Sequence, residues 1–292
     1  MNLMNKFTHN TKIIGIIGHP IKHSYSPFMH NLAFDLSDLD YVYLPFDVPS
    51  ESLKDAIKGL IALNIRGFNI TLPHKERIAP FLNVISEEAS IIGAVNTVVN
   101  ENGKLHGYNT DVNGVYESLA PFKDEITNGN VTIIGAGGAA RSVIYTIIRH
   151  FKCERINIVN RTEQVAESMK EYFTAKMMYN GIKAYELFPP DLVPILQDSK
   201  LIINTTSIGM FPEIDDAPTT IKESFHKDQI VFDIVYNPIK TKLLTLAESQ
   251  GARIVTGLNM FIEQGAKSYE LWTNQEMPKE KIYQAIKSYL EN

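Results

Sequence analysis

The stretch V-T-I-I-G-A-G-G-A-A, Val131 to Ala140, constrains the fold of this chain more than any other. Val131–Ile134 reads as a strand buried on both faces. Gly135, Gly137 and Gly138 follow at once. After them Val143, Ile144, Ile147, Ile148 and Phe151 fall on one stripe at helical spacing. Strand, glycine turn and helix in that order are the setting a dinucleotide fingerprint requires. Gly135 permits the tight turn, Gly137 lets the backbone approach a pyrophosphate, and Ala140 is the small residue that keeps the helix close to the strand. The helix N-terminus would then offer its free N–H groups to the phosphates.

The 292 residues allow one large or two ordinary domains. Hydrophobic content of 44% and charged content of 21% are those of a globular protein. With 28 Lys+Arg against 33 Asp+Glu and no basic run, neither nucleic acid nor an anionic membrane is an expected partner. The only cysteine, Cys153, excludes an internal disulfide framework and reads as a packing residue. The first ten residues lack the apolar core of a signal peptide, and no apolar run approaches membrane-spanning length, so a cytoplasmic setting is expected.

Ahead of the glycine turn, K-I-I-G-I-I-G, D-Y-V-Y-L-P-F-D-V and R-G-F-N-I-T read as strands. S-P-F-M-H-N-L-A-F-D-L reads as a helix with Ser26 as its cap and Pro27 in its first turn. L-P-H-K-E-R-I-A-P-F-L and I-S-E-E-A-S-I-I-G read as short helices, and Asn102-Gly103 sets a type I′ hairpin turn. Asp111 opens a further helix. Beyond it, strands V-T-I-I-G, R-I-N-I-V-N, K-L-I-I-N-T-T, I-V-F-D-I-V-Y and A-R-I-V-T-G alternate with helices, which predicts a doubly wound, mostly parallel sheet. The expected fold class is α/β. An N-terminal α/β substrate domain (1–110) precedes a Rossmann-type dinucleotide-binding domain (111–256), and C-terminal helices (257–292) return to the first. A cleft between two such domains would suit a reaction that needs cofactor and substrate together.

Chemistry-bearing residues stand at the ends of the early elements. Ser24 and Ser26 flank Tyr25 ahead of a helix N-terminus, an arrangement suited to a carboxylate. Lys75 follows a strand, Asn96 begins the hairpin and Asp111 follows it. Taken alone, Lys75 is a surface residue and Asp111 a helix cap. Where they converge, a Lys–Asp pair could pass a proton to or from a hydroxyl beside Asn96. His19, His23 and His30 could suggest a metal, but Pro20 and Pro27 break their spacing and no acidic partner recurs; no metal is expected.

The stretches G-H-P-I-K-H-S-Y-S-P-F-M-H-N, N-I-T-L-P-H-K, G-A-V-N-T, G-Y-N-T-D, G-A-G-G-A-A, N-R-T, N-T-T-S-I-G-M, V-Y-N-P and E-Q-G-A occur in that order. In this pattern the chain resembles the shikimate dehydrogenase family, its quinate/shikimate branch included, over nearly its whole length. The resemblance implies a catalytic pair, Lys75 and Asp111. It implies that Ser24 and Ser26 bind a ring carboxylate, that Thr71, Asn96 and Gln264 contact ring hydroxyls, and that Tyr236 lies near the substrate. To the cofactor it assigns Gly135, Ala136, Gly137, Gly138 and Ala139. Asn160, Arg161, Thr162 and Glu163 would approach the adenosine ribose. Thr205, Ser207 and Met210, after Asn204, would border the nicotinamide, with Gly257 beyond.

The implied activity is reversible oxidation of shikimate to 3-dehydroshikimate in aromatic amino acid biosynthesis, with quinate as a further substrate. Two alternatives stand beside it. One is a non-catalytic sensor on the same scaffold, disfavoured because Lys75 and Asp111 are both present. The other is a dehydrogenase of another cyclic hydroxy acid. Tyr25 stands where many relatives have Leu, and Ile70 where many have Val. Val165 stands where strictly NADP-dependent members commonly carry a second Arg, and Glu163 would repel a 2′-phosphate. NAD is therefore expected over NADP. A small-molecule substrate and a homodimer complete the expected partners.

Overall fold

The computed structural model describes residues 7–22, 24–187 and 192–291. The chain divides into two compact units. One takes the chain up to Thr110 together with Ile262–Ile286; the other takes Asp111–Phe261 and the residues after Ile286. The return to the first unit therefore begins one turn inside a helix that starts at Gly257, rather than at 257 itself. The first six residues, on which the signal-peptide reading rests, lie outside the described residues, as does His23.

The first unit contains β1 (Lys12–Gly18), α1 (Ser26–Leu36), β2 (Tyr41–Asp47), α2 (Leu53–Ala62), β3 (Gly67–Ile70), β4 (Val84–Ile85), α3 (Glu87–Ile92), β5 (Thr97–Glu101) and β6 (Lys104–Tyr108). Its sheet runs β2-β1-β3-β5-β6-β4, with β2, β1 and β3 parallel and β5 antiparallel to both neighbours. The carboxyl ends of β1 and β3 therefore share an edge with the start of β5 and the end of β6. The hairpin turn has φ of 54° at Asn102 and 86° at Gly103, as a type I′ turn demands. Helix α3 is capped by Ser86, whose Oγ accepts the Ala89 N–H at 3.3 Å.

Two expectations fail here. Ser26 is the first helical residue of α1 rather than its cap; the flanking residue is Tyr25, and Ser24 Oγ accepts the Ser26 N–H at 3.3 Å. The run L-P-H-K-E-R-I-A-P-F-L forms turns with a single 3-10 turn at Ala79–Phe81. Pro80 excludes a helix through it, because its ring would clash with the carbonyl four residues back.

The second unit contains α4 (Asp111–Leu119), α5 (Lys123–Ile126), β7 (Asn130–Ile134), α6 (Gly138–Thr146), β8 (Arg155–Asn160), α7 (Glu163–Met177), β9 (Ile182–Glu186), α8 (Leu192–Gln197), β10 (Leu201–Asn204), β11 (Ile230–Asp233), α9 (Lys242–Ser249) and β12 (Arg253–Val255). The sheet runs β12-β11-β10-β7-β8-β9, every pair parallel, as a Rossmann-type doubly wound fold requires. Strand order reverses between β7 and β10. Edge strand β9 escapes the sequence reading because I-K-A-Y-E is only partly buried and carries two charges. The apolar stripe after α6 continues as a π-helical turn, Ile147–Phe151. Cys153 is buried, and burial pushes its thiol pKa up, as suits a packing residue.

The last two helices are α10 (Gly257–Thr273) and α11 (Lys279–Glu291). The only tryptophan, Trp272, fixes α10 to the first sheet: its Nε1–H donates to Val98 O at 2.9 Å, and its own carbonyl accepts from Arg66 Nε at 3.0 Å. A Cβ at Gly67 would stand 2.3 Å from Trp272 Nε1, so this strand residue must be small. Beside the indole lies His30, 0% exposed, stacked on Tyr43 at 4.6 Å, with its ring centroid 5.3 Å from Trp272. Among the described residues neither ring nitrogen has a hydrogen-bond partner, and burial lowers the His30 pKa from 6.5 to about 3.

A depressed histidine makes the fold sensitive to acid. Above pH 6.5 both native and unfolded chains hold His30 neutral; as pH falls toward about 3 only the unfolded chain takes the proton, and stability is lost. In chemical denaturation, His30→Phe should therefore gain on the wild type by up to about 3 kcal/mol between about pH 7 and about pH 4. Parallel stability profiles for the two proteins would contradict this.

Candidate active site

The first unit gathers its candidates at the edge where β1 and β3 end and β5 begins. Thr71 follows β3 and packs on Gly18; a Cβ at Gly18 would lie 2.3 Å from Thr71 Cγ2. The next segment hangs on His74, which is buried. Its Nε2 lies 2.6 Å from the Val48 carbonyl and must carry the hydrogen, since a carbonyl only accepts. The sequence reading passed over His74; its setting in L-P-H-K, beside the implicated Lys75, was the available signal. Lys75 is half-buried, and its own carbonyl accepts the Val95 N–H at 2.8 Å. That bond holds Lys75 next to the segment carrying Asn96.

Asn96 is 3% exposed and is itself clamped. Its Oδ1 accepts from Thr110 N at 2.8 Å and Thr97 Oγ1 at 3.0 Å, and its Nδ2 donates to Thr110 Oγ1 at 3.0 Å. The chain is thus fixed one residue before Asp111. Asp111 is buried and is the first helical residue of α4 in the second unit, rather than a flanking cap. Behind Asn96 lies a buried polar seam that sequence reading did not foresee. Asn69 Nδ2 donates to Asn96 O and Thr97 Oγ1, both at 3.0 Å, and to Ser268 Oγ at 3.2 Å. Ser268 Oγ also lies 2.8 Å from Thr97 Oγ1 and 3.0 Å from the carbonyl of Gln264, one turn earlier on α10. Gly265 lets α10 approach α1, since a Cβ there would meet Met29 Cε at 2.1 Å. Ser24, Ser26, Thr71, Lys75, Asn96 and Gln264 all belong to this unit, and hydrogen bonds join the Lys75 and Asn96 segments to each other and, through Ser268, to Gln264.

The second unit gathers its candidates at the carboxyl ends of its parallel strands. The Gly135–Ala139 turn follows β7 at the switch point. Gly135 has φ of 105°, and a Cβ there would lie 2.7 Å from Thr205 Oγ1, so only glycine fits. Gly137 differs: its φ is −95°, and a Cβ would meet nothing within 4 Å. No packing demands glycine at 137, whereas a pyrophosphate approaching the backbone would. Among the described residues no side chain caps α6, whose first N–H groups have no partner within the helix. Gly138, Ala139 and Ala136 complete this turn, and Ala140 is 0% exposed against the sheet. These residues fit a bound dinucleotide phosphate.

Asn160 ends β8, with Arg161, Thr162 and Glu163 exposed after it. Thr205 spends both its N–H and its hydroxyl on the Ile134 carbonyl, each at 2.8 Å, while Ser207 and Met210 are exposed on the same loop. Gly257 starts α10, where a Cβ would sit 2.4 Å from the Ile234 carbonyl; close packing accounts for this glycine. Tyr236 follows β11 in this unit and stacks on Phe261 at 4.3 Å. Among the described residues no group of three His, Cys, Asp or Glu side chains could hold a metal; His19 instead pairs with Asp47 at 2.8 Å.

A doubly wound sheet with an open glycine turn at its switch point, in one chain with a lysine and amide–hydroxyl site, defines a nicotinamide-dependent oxidoreductase. Comparison with known proteins narrows the class. A model of the shikimate dehydrogenase substrate binding domain matches residues 16–98, one of shikimate / quinate 5-dehydrogenase matches 118–242, and one of the shikimate 5′-dehydrogenase C-terminal domain matches 257–287. The shikimate dehydrogenase (NADP(+)) of Caldanaerobacter subterraneus subsp. tengcongensis is 41% identical over 286 residues, covering 97% of this chain and 99% of the relative. A crystal structure of a shikimate dehydrogenase in complex with NADP+ superposes with a TM-score of 0.90 at 41% identity, covering 97% of each chain. Shikimate 5-dehydrogenase from Listeria monocytogenes, in complex with shikimate and NAD, superposes with a TM-score of 0.86 at 36% identity over 97% of this chain and 99% of that one. The chain belongs to the shikimate dehydrogenase family.

The open space at Gly137 yields a test. Gly137→Val should leave unfolding free energy within about 0.5 kcal/mol of wild type, as for a substitution that meets no neighbour. It should weaken dinucleotide binding by roughly 10-fold or more, because the new side chain occupies the approach to the phosphates. Calorimetric titration with NAD and NADP measures the second effect, and undiminished affinity would remove Gly137 from the cofactor site.

Proposed function

We propose that this protein catalyses the reversible oxidation of shikimate to 3-dehydroshikimate with a nicotinamide dinucleotide. Lys75 held beside Asn96, in a chain that matches the shikimate dehydrogenase models in both units, carries this reading. The bound cofactor supplies the hydride acceptor or donor. Ser24 and Ser26 present hydroxyls to the ring carboxylate, and Thr71, Asn96 and Gln264 orient the ring hydroxyls. Lys75 accepts the proton of the reacting hydroxyl during oxidation and returns it during reduction, while Asp111 holds the Lys75 ammonium. Tyr236 lies near the substrate. Following the near-ultraviolet absorbance of reduced nicotinamide, with shikimate and with quinate, tests the reaction and ranks the two acids. A cytoplasmic setting and a homodimer belong to the same proposal, and sedimentation equilibrium decides the latter.

Lys75→Ala should lower kcat by roughly 10²–10⁴-fold with a smaller change in the KM for shikimate, the range for removing a general acid–base. A variant with wild-type kcat would take Lys75 out of the mechanism.

We further propose that NAD is preferred over NADP. The curated relative named above is an NADP(+) enzyme, whereas the Listeria structure holds NAD. In this chain Arg161 is a single exposed cation, Glu163 is exposed at the first position of α7, and Val165, 44% exposed, adds no charge. A carboxylate there accepts hydrogen bonds from ribose hydroxyls and repels a 2′-phosphate. Exposure screens that repulsion, so the outcome is a preference and not an exclusion. The ratio of kcat/KM for NAD to that for NADP should exceed one and fall in Glu163→Ala/Val165→Arg. A wild type that strongly favours NADP would overturn the argument from Glu163.

A further inference from the structure

Among the described residues the mechanism leaves one fully buried carboxylate unused. Asp233 ends β11, is 0% exposed, and accepts three hydrogen bonds. Its Oδ1 takes the Asn204 Nδ2–H at 2.9 Å and the Val235 N–H at 3.0 Å; its Oδ2 takes the Thr241 hydroxyl at 2.7 Å. The far end of the Asn204 amide is spoken for as well. Asn204 Oδ1 accepts the Thr206 N–H at 3.0 Å and the Thr206 hydroxyl at 2.7 Å, and Thr206 Oγ1 in turn accepts the Ile208 N–H at 3.2 Å.

These bonds admit one polarity. With Oδ1 of Asn204 facing two donors, its Nδ2 must face Asp233, and Asp233 meets only donors. A chain of bonds therefore runs from Ile208 through Thr206 and Asn204 to the carboxylate, and every link before the last lies on the loop after β10. Burial raises the Asp233 pKa to about 6, against the lowering effect of its three bonds. Packing alone would be served by an apolar residue without that cost. What the carboxylate adds is direction: it fixes the loop after β10, the backbone leading to Tyr236, and Thr241, which caps α9 by accepting the Leu244 N–H.

We propose that Asp233 is a positioning residue which, through Asn204, holds the Thr205–Ile208 loop and the approach to Tyr236 in the geometry that receives the nicotinamide ring. This rests on the reading above that the loop after Asn204 borders the nicotinamide. The adenosine end of the cofactor, at the close of β8, makes no use of these bonds.

The test separates the two ends of the cofactor. Asn204→Ala and Asp233→Ala should bind ADP-ribose within about 2-fold of wild type. They should lose most of the extra affinity that reduced cofactor shows over ADP-ribose, together with its bound-state fluorescence enhancement. Their kcat for shikimate should fall by roughly 10–100-fold, the scale of a misplacement near one ångström. Asp233→Asn keeps an Oδ1 for Asn204 and Val235 and should recover most of both signals. The double alanine variant should fall no further than the worse single one, since the two residues act in one chain. If Asp233→Ala fails to fold, Asn204→Ala and Asp233→Asn decide the matter. Unchanged fluorescence and kcat in Asn204→Ala, or an equal loss of ADP-ribose affinity, would overturn the proposal. A wild type that binds reduced cofactor but does not turn over shikimate would refute the reaction proposed above, while the fluorescence arm still decides the role of Asp233.

Discussion

The crevice side of the second sheet depends on β7 and β10 lying side by side. They pair in parallel from Leu201↔Val131 to Asn204↔Ile134, although two strands, β8 and β9, and three helices, α6, α7 and α8, separate them in sequence. Chains leaving two such neighbours turn to opposite faces, so the loops that follow part and leave an opening. The Ile134 carbonyl accepts both the N–H and the hydroxyl of Thr205, using both of its lone pairs. That double bond holds the loop after β10 against the turn after β7. The glycine at 135 is its corollary, because any side chain there would run into the Thr205 hydroxyl.

The first unit solves a different problem, since its candidate site residues come from segments far apart in sequence. The solution is a buried polar seam. Ser268 reaches Asn69, Thr97 and Thr110 across 199, 171 and 158 residues of chain. Such a seam is stable only when each member is satisfied, because one orphaned buried donor or acceptor costs about 1–3 kcal/mol. The seam therefore has one arrangement, and it passes that arrangement to Asn96 and to the residue before Asp111. Lys75 is treated otherwise. Its main chain is fixed, while its side chain is only half-buried, which suits the proton exchange proposed for it.

Much of this was legible in the sequence, for identifiable reasons. The inner strands of the second unit are apolar, largely β-branched runs buried on both faces, and the Asn102-Gly103 turn needs positive φ at both residues. Each is a local signal. The glycine turn was legible because strand, turn and helix all agreed. The failures are equally local in origin. Ser26 before Pro27 carries the composition of a cap, but Ser24 two residues earlier provides the hydroxyl that accepts the Ser26 N–H. The L-P-H-K run has helical spacing, yet Pro80 forbids the helix. Ser268, Asn69 and His74 were illegible as supports, since an Asn or Ser in a strand or helix looks the same whether its partner is water or a residue two hundred positions away. Asp233 hid in the same way, at the end of an apolar strand.

The two ends of the proposed cofactor groove differ in how firmly the chain fixes them. At the nicotinamide end the supports, Asn204 and Asp233, are 0% exposed and joined by bonds within a low-dielectric interior. Changing one disturbs the rest. At the adenosine end Arg161 and Glu163 are exposed and stand on one short segment, where a charge interacts weakly and through solvent. If the cofactor preference is set there, as proposed, a substitution at Glu163 or Val165 shifts it by a factor set by a few screened charges, with no penalty to the sheet. The same fold can thus hold NADP+ in one shikimate dehydrogenase structure and NAD in another. On the roles proposed above, the constraint on hydride transfer is built into the interior, while the choice of cofactor is left to the surface.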